Sequence, residues 1–167
     1  MATTYTLISS NVLGSDASSV TFSNITQTYN DLVLWFSAKQ GGSVISVKLN
    51  INGDTTTAYS DWYLRNATSA SQDTGSTFNV LYYANTNNNN NANAWGISEI
   101  YIPKYTAASP HQMMVHSGTV DSSYFNALMQ ASLYSVSSAI TSITLAPNGG
   151  SNFLANSSFY LYGISNS

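Results

Sequence analysis

The sequence predicts an all-β protein, a single antiparallel β-sandwich of jelly-roll type with about 10–11 strands spread over residues 1–167. Three observations lead there. Apolar and polar residues alternate with a period of two along most of the chain, as they do in strands with one buried face. The alternating runs are short, and clusters of Gly, Asn, Asp, Ser or Pro separate them, which are the residues that end strands and form turns. No segment repeats its apolar residues at helical spacing.

The runs come in order as YTLISSNV at 5–12, SVTFSNI at 19–25, DLVLWFSAK at 31–39 and VISVKLNIN at 44–52. The last of these is the clearest: Ile45, Val47, Leu49 and Ile51 share one face, while Ser46, Lys48, Asn50 and Asn52 share the other. After the turn residues Asn52-Gly53-Asp54 come DWYLRNA at 61–67 and FNVLYYA at 78–84. WGISEIYIP at 95–103, QMMVHSGTV at 112–120, FNALMQASLYSV at 125–136, ITSITLA at 140–146 and FYLYGIS at 159–165 complete the set. Between the sixth and seventh runs lies YYANTNNNNNANAWG, in which an asparagine run (Asn87, Asn88, Asn89, Asn90 and Asn91 at its centre) replaces any apolar pattern. Such a run cannot help build a core, so residues 85–94 or thereabouts read as a long loop rather than as secondary structure. Neither half of the chain is a complete sandwich without the other, which argues against a linker between domains.

Two runs are apolar on both faces. In DLVLWFSAK, Val33 and Trp35 oppose Leu32, Leu34 and Phe36; in FYLYGIS, Tyr160 and Tyr162 oppose Phe159 and Leu161. A sandwich needs only one apolar face per sheet, so the second calls for cover by another subunit, a neighbouring loop or a surrounding shell. Val33, Trp35, Tyr160 and Tyr162 are therefore candidate interface residues.

Composition narrows the functions open to this chain. Only 7% of residues are charged, against about 25% in an ordinary soluble domain. Ser, Thr and Asn account for 64 of the 167 residues, and four Lys and Arg stand against seven Asp and Glu. Four scattered cations cannot form a phosphate-binding patch, so direct nucleic-acid binding is not expected. The longest apolar stretch, Leu32 to Phe36, is too short to span a bilayer, and MATTYTLISSN has no basic n-region. The expectation is a chain made in the cytoplasm without an ordinary secretory signal and without a membrane partner. With no cysteine there is neither a disulfide framework nor a thiolate metal site. A surface so poor in charge suits a protein packed against its own copies better than a free monomer. Twelve tyrosines and three tryptophans agree, because both are enriched at interfaces. They are also ordinary strand residues.

No arrangement of residues points to catalysis. The two histidines, His111 and His116, are five apart on one strand and so face opposite ways. A glycosidase needs two facing carboxylates. Asp54 belongs to a turn, Asp61 to a loop flank and Glu99 to an outward strand position, with no motif joining them. Neither an enzyme nor a cofactor is expected. Trp62 and Trp95, read as standing beside polar loops, could stack on sugar rings; aromatic residues at strand ends also close sandwich cores.

Three stretches carry a resemblance: TTYTLISSNVLGSDASSVTFSNI with TYNDLVLWFSA, then VKLNINGDTTTAYSDWYLR, then the terminal SSFYLYGIS. Together they resemble a family of small β-sandwich virion proteins of tailed bacteriophages, frequent among phages of aquatic bacteria and cyanobacteria. The likeness runs nearly end to end, and Asn52-Gly53-Asp54 and Tyr160-x-Tyr162-Gly163-Ile164 are its most specific parts. The asparagine run falls outside the shared pattern.

The resemblance implies a capsid decoration or cement protein on the exterior of the head, commonly a homotrimer, with the major capsid protein as its partner. The rival is a tail-fibre or spike adhesin domain that holds host glycan through Trp62 or Trp95. In the decoration reading, Asn87 to Asn91 form either a clasp on a neighbour or an exposed tip. Ordering such a loop costs roughly 1 kcal/mol or more per residue, so it orders only against a partner. Replacing residues 87–93 with a short Gly-Ser turn separates the two. Loss of trimer or capsid binding identifies a clasp, and unchanged binding a dispensable tip.

Overall fold

The computed structural model describes residues 4–44, 46–66, 69–84, 86–87, 94–120 and 125–165. Among them there is no helix. Thirteen strands form two sheets that pack face to face: β1 (Tyr5–Val12), β2 (Val20–Phe22), β3 (Asp31–Gln40), β4 (Ser46–Ile51), β5 (Tyr59–Arg65), β6 (Ser69–Ser76), β7 (Asn79–Tyr82), β8 (Thr86–Asn87), β9 (Gly96–Ile102), β10 (His111–Val120), β11 (Phe125–Tyr134), β12 (Ile143–Pro147) and β13 (Ser158–Ile164). The larger sheet runs β1-β13-β3-β9-β10-β11-β5-β6, with β8 added beside β3; the smaller runs β2-β12-β4-β7.

Each of the eleven runs in the sequence corresponds to a strand, and two strands are additional. β6 has the sequence SASQDTGS, which carries no apolar alternation to detect; it forms the edge of the larger sheet and pairs with β5 alone. β8 corrects the reading of the asparagine run as loop throughout. Thr86 and Asn87 pair in parallel with Lys39 and Gln40, so the backbone of Asn87 belongs to a sheet. Backbone pairing needs no apolar side chain, which is why the pattern could not show it. Asn88, Asn89, Asn90 and Asn91 lie outside the described residues.

Strands from the two halves of the chain pair in reverse order, β3 with β13, β4 with β12 and β5 with β11, all antiparallel. The chain passes repeatedly from one sheet to the other as it does so, which is jelly-roll wrapping. The core lies between the sheets. From the larger sheet come Leu32, Leu34, Phe36, Ile100, Val115, Phe159 and Leu161; from the smaller come Val47, Leu49, Ile51, Leu81, Ile143 and Leu145. All are 3% exposed or less, so each contributes about 1.5–3 kcal/mol of transfer free energy. Phe159 is central, with Phe36 stacked at 5.6 Å and Phe153 edge-on at 5.0 Å.

The two most specific motifs of the sequence are structural joints. Asn52 and Gly53 both have positive φ, 55° and 66°, and Asp54 N–H donates to Ile51 O at 3.0 Å, which is the geometry of a type I′ turn. The Asn52 side chain then reaches into the loop before β12. Its Oδ1 accepts from the N–H groups of Thr141 (2.8 Å) and Ser142 (3.1 Å), and its Nδ2 donates to Ala139 O at 2.9 Å. Asp54 Oδ1 accepts from the N–H and hydroxyl of Thr56, and Oδ2 from the hydroxyl of Tyr134. The hydrogen bonds from Thr56 hold the Asp54 carboxyl below its ordinary range.

Gly163 serves a different need, because the ring of Tyr29 lies directly over it. A Cβ at 163 would stand 2.3 Å from two ring atoms of Tyr29. Gly163→Ala is therefore expected to displace Tyr29 and to lower stability by about 1–3 kcal/mol, as overpacking does. Urea denaturation measures it, and an unchanged midpoint would show that the Tyr29 ring moves freely.

Candidate functional site

The outer face of the larger sheet carries most of the large apolar side chains that the chain leaves exposed. Register fixes how they line up. One row across the strands reads Leu7, Tyr162, Val33, Tyr101, Met114, Ala131, Trp62, Gln72. The row beside it reads Ser10, Tyr160, Trp35, Glu99, His116, Met129, Leu64, Ala70. Ile97 and Gly118 belong to a third row. Leu7, Trp62, Ile97 and Met129 are 51%, 56%, 63% and 53% exposed, and Trp35, Leu64 and Met114 are exposed as well. Eight strands at about 4.8 Å spacing and roughly seven residues long give a face near 800 Å² in projection. That is about the share one partner contributes to a standard protein–protein interface.

Two depressions on the face form where a small residue sits between large ones. The first, about 530 Å³, is bordered by Trp35, Tyr160, Glu99, His116 and Ile97, with Gly118 and Ser37 among its lining. Trp35 Nε1–H donates to Glu99 Oε2 at 2.7 Å. Trp35 also meets Tyr162 at 5.0 Å and Tyr5 at 5.8 Å between ring centroids, an aromatic group that reaches the β1 edge. The second depression, about 520 Å³, has Ala131 between Met114 and Trp62, with Gln72, Tyr101 and Gln112 around it. It offers an aromatic platform beside two side-chain amides.

On the inner side of β5 and β11 the packing turns polar. Gln130 Nε2 donates to Asn79 Oδ1 at 3.1 Å, to Val80 O at 3.0 Å and to Ser132 Oγ at 3.1 Å; Asn79 Nδ2 donates to Asp61 Oδ2 at 3.4 Å. Gln130 and Asn79 are fully buried and Asp61 is 6% exposed. Burial, and secondly the charge of Asp73 opposite it on β6, push the Asp61 carboxyl up to about 6. This acid has a folded pKa above its unfolded value, so the folded state holds the proton more tightly. Its contribution to stability is full at low pH and is lost as pH rises from about 4 to about 6. Asp61→Asn should abolish that fall and raise stability at pH 7 by on the order of 1 kcal/mol, discounted for partial solvent access. Denaturation midpoints at pH 4.5 and 7.5 measure it; equal midpoints in the unmodified protein would contradict the assignment.

The structure brings the four candidate interface residues onto one face, with one refinement. Trp35, Tyr160 and Tyr162 lie on the surface, but Val33 is only 3% exposed, set between Tyr162 and Tyr101 in register. Val33 is thus covered by side chains of its own subunit, which corrects its reading as an exposed interface candidate. Trp62 does not stand beside a polar loop as its sequence context suggested. It occupies the middle of β5, because the short run DWYLRNA is flanked by the polar strand β6, whose pairing the sequence hides. Trp95 does lie at a strand end, with the ammonium of Lys39 5.9 Å from its ring centroid. Trp62 and Trp95 line different depressions, Trp62 the one around Ala131 and Trp95 a smaller one beside Ile97 and Gly118.

Alternation places the histidines as expected: His111 is buried with Nε2 2.7 Å from Ser138 O, and His116 faces outward. Asp61 and Glu99 lie on opposite faces of the larger sheet, and Asp54 belongs to the turn. What sequence reasoning missed is the breadth of the face. Leu64, Ile97, Met114 and Met129 each occupy the outward parity of an ordinary-looking strand, and only strand order reveals that they adjoin Trp35 and Trp62.

No family model matches the chain, and no curated protein matches it. Among solved structures it is similar to the galectin LEC-6 of Caenorhabditis elegans, with 8% sequence identity over 95% of both chains and a TM-score of 0.42.

Proposed function

We propose that this protein is a non-enzymatic structural component of a virion, a capsid decoration or cement protein that assembles as a homotrimer and binds the outer surface of the head. The observation that carries the assembly part is the exposed apolar face of the larger sheet. A chain with 7% charged residues that also exposes Trp35, Trp62, Ile97, Met114 and Met129 on one face is poorly suited to stay unaccompanied in water. The choice of a virion over other assemblies rests on the sequence resemblance. Its most specific residues, Asn52-Gly53-Asp54 and Gly163, are the joints that hold the sandwich together, so they support kinship in fold more than any particular partner.

In this reading the sandwich supplies stiffness and its faces supply adhesion. Cyclic closure gives each copy the same neighbours. Several modest contacts per trimer then add as avidity on a repetitive shell, so no single contact has to be strong. The polar outer surface of the smaller sheet would remain toward solvent.

The adhesin reading keeps one specific observation in its favour, the depression beside Trp62 with Gln72 and Gln112 around it. A half-exposed indole flanked by amides suits a neutral sugar, whose C–H face stacks while its hydroxyls bond.

Quantitative mass spectrometry of purified particles tests the proposal. Copies of the same order as the major capsid protein are expected. A number tens of times lower would move the protein to the tail and favour the adhesin, and complete absence would contradict both.

A further inference from the structure

The exposed face of the larger sheet holds a carboxylate to which no Lys or Arg side chain among the described residues bonds. Glu99 lies on β9, fourth of the eight strands in spatial order, and so near the middle of the face. Its Oε2 accepts the Trp35 indole N–H at 2.7 Å, which anchors the carboxyl against the indole edge. In register its neighbours are Trp35 on one side and His116 on the other, and Tyr160 follows Trp35. These four residues border the 530 Å³ depression.

The four basic residues are all placed elsewhere. The Lys39 ammonium lies over Trp95, and that of Lys48 lies 4.4 Å from the Phe78 ring on the smaller sheet. Arg65 donates to the Tyr83 hydroxyl at 2.6 Å, and Lys104 is on the turn after β9. None of them bonds to Glu99.

We infer that this depression is the seat for a Lys or Arg side chain carried by a different protein docked on the sheet face. The inference rests on the reading of that face as an assembly surface, and it names what the face meets there. A fixed carboxylate beside two aromatic rings is complementary to one kind of group, an organic cation. The charge meets Glu99 in a charge-assisted hydrogen bond, and the stem or the flat guanidinium lies against Trp35 and Tyr160. An entirely apolar partner would bury Glu99 without a counter-charge, which is strongly unfavourable. A second copy packed symmetrically on the same face meets the same difficulty twice over. A two-fold contact presents identical patches to each other, and two central carboxylates would then approach across the axis. A neighbouring copy in a cyclic trimer would meet the face with a different patch. The chain carries only four Lys and Arg, however, of which Lys39 is buried and Arg65 is bonded to Tyr83. The occupant assigned is a different protein, apolar around one projecting cation.

The indole N–H of Trp35 reports directly on this seat. We would titrate the ¹⁵N-labelled protein with ethylguanidinium chloride and, separately, with the neutral isostere ethylurea, at constant ionic strength. Trp35→Phe assigns the indole signal among the three tryptophans. A saturable shift of the Trp35 signal with ethylguanidinium alone is expected, with Trp62 and Trp95 little changed. Glu99→Gln keeps an acceptor for the indole but removes the charge, and it should weaken that binding fivefold or more. An equal response to ethylurea, an equal response at all three indoles, or an unchanged Glu99→Gln titration would overturn the seat. Self-association, measured by sedimentation, should be the same in Glu99→Gln as in the unmodified protein. Weaker association would make the occupant a second copy and overturn the assignment to a different protein. A failed titration leaves the copy number in particles unaltered, so failure of the seat and failure of the virion reading are told apart.

Discussion

The burial of Leu34, Phe36, Phe159 and Leu161 from one sheet against Leu49, Ile51, Leu81 and Leu145 from the other is the interaction on which the remaining features depend. It fixes which parity of each strand points inward. In a strand the parity of one residue sets that of all the others, so the same packing decides what points outward. Once Leu34 and Phe36 are inside, Trp35 must be outside, and Tyr160, Glu99, His116 and Met129 align with it through the ladders. The apolar outer face is thus a consequence of register. A shift of a single residue in β3 would send Trp35 and Val33 into the core and expose Leu34 and Phe36.

The sheets differ in what they can leave to water. Outside β4 and β12 stand Lys48, Asn50 and Thr144, polar side chains that hydrate readily. The larger sheet has eight strands in its main path and far more outer surface, and there tryptophan, methionine, leucine and isoleucine take the outward positions. With so few charged residues in the whole chain, the two central rows of that face carry a single carboxylate, Glu99, with His116 beside it. The inner polar group around Gln130 and Asp61 has a separate meaning. It lies between the sheets where β7 meets β5 and β11, and its hydrogen bonds join the two layers where apolar contact gives out.

Much of the fold was legible because half-buried strands write themselves into the sequence at a period of two. VISVKLNIN and DLVLWFSAK show it well, and Val47, Leu49, Ile51, Leu32, Leu34 and Phe36 are among the most buried of the described residues. β6 was illegible because an edge strand with no large apolar residue has no period, and β8 because the backbone pairing of Thr86 and Asn87 with Lys39 and Gln40 leaves no mark in the apolar pattern. The site was legible only locally. Trp35, Tyr160 and Tyr162 could be read as a second apolar face within their own strands. Leu64, Ile97, Met114 and Met129 join them only through strand order, a long-range property that no local pattern records. Glu99 is the sharpest case: outward parity can be read from GISEIYI, but its bond to Trp35, 64 residues earlier in the chain, cannot.

The central claim is that the outer face of the larger sheet is covered in the working assembly. Oxidative footprinting of the protein free in solution and in purified particles tests it most directly. Met114, Met129 and Trp62 are reactive reporters on that face, and Met113, 2% exposed in the core, is an internal control. The account predicts strong labelling of all three in the free protein and protection in particles, with Met113 unlabelled throughout. Equal labelling of Met114, Met129 and Trp62 in both states would contradict it.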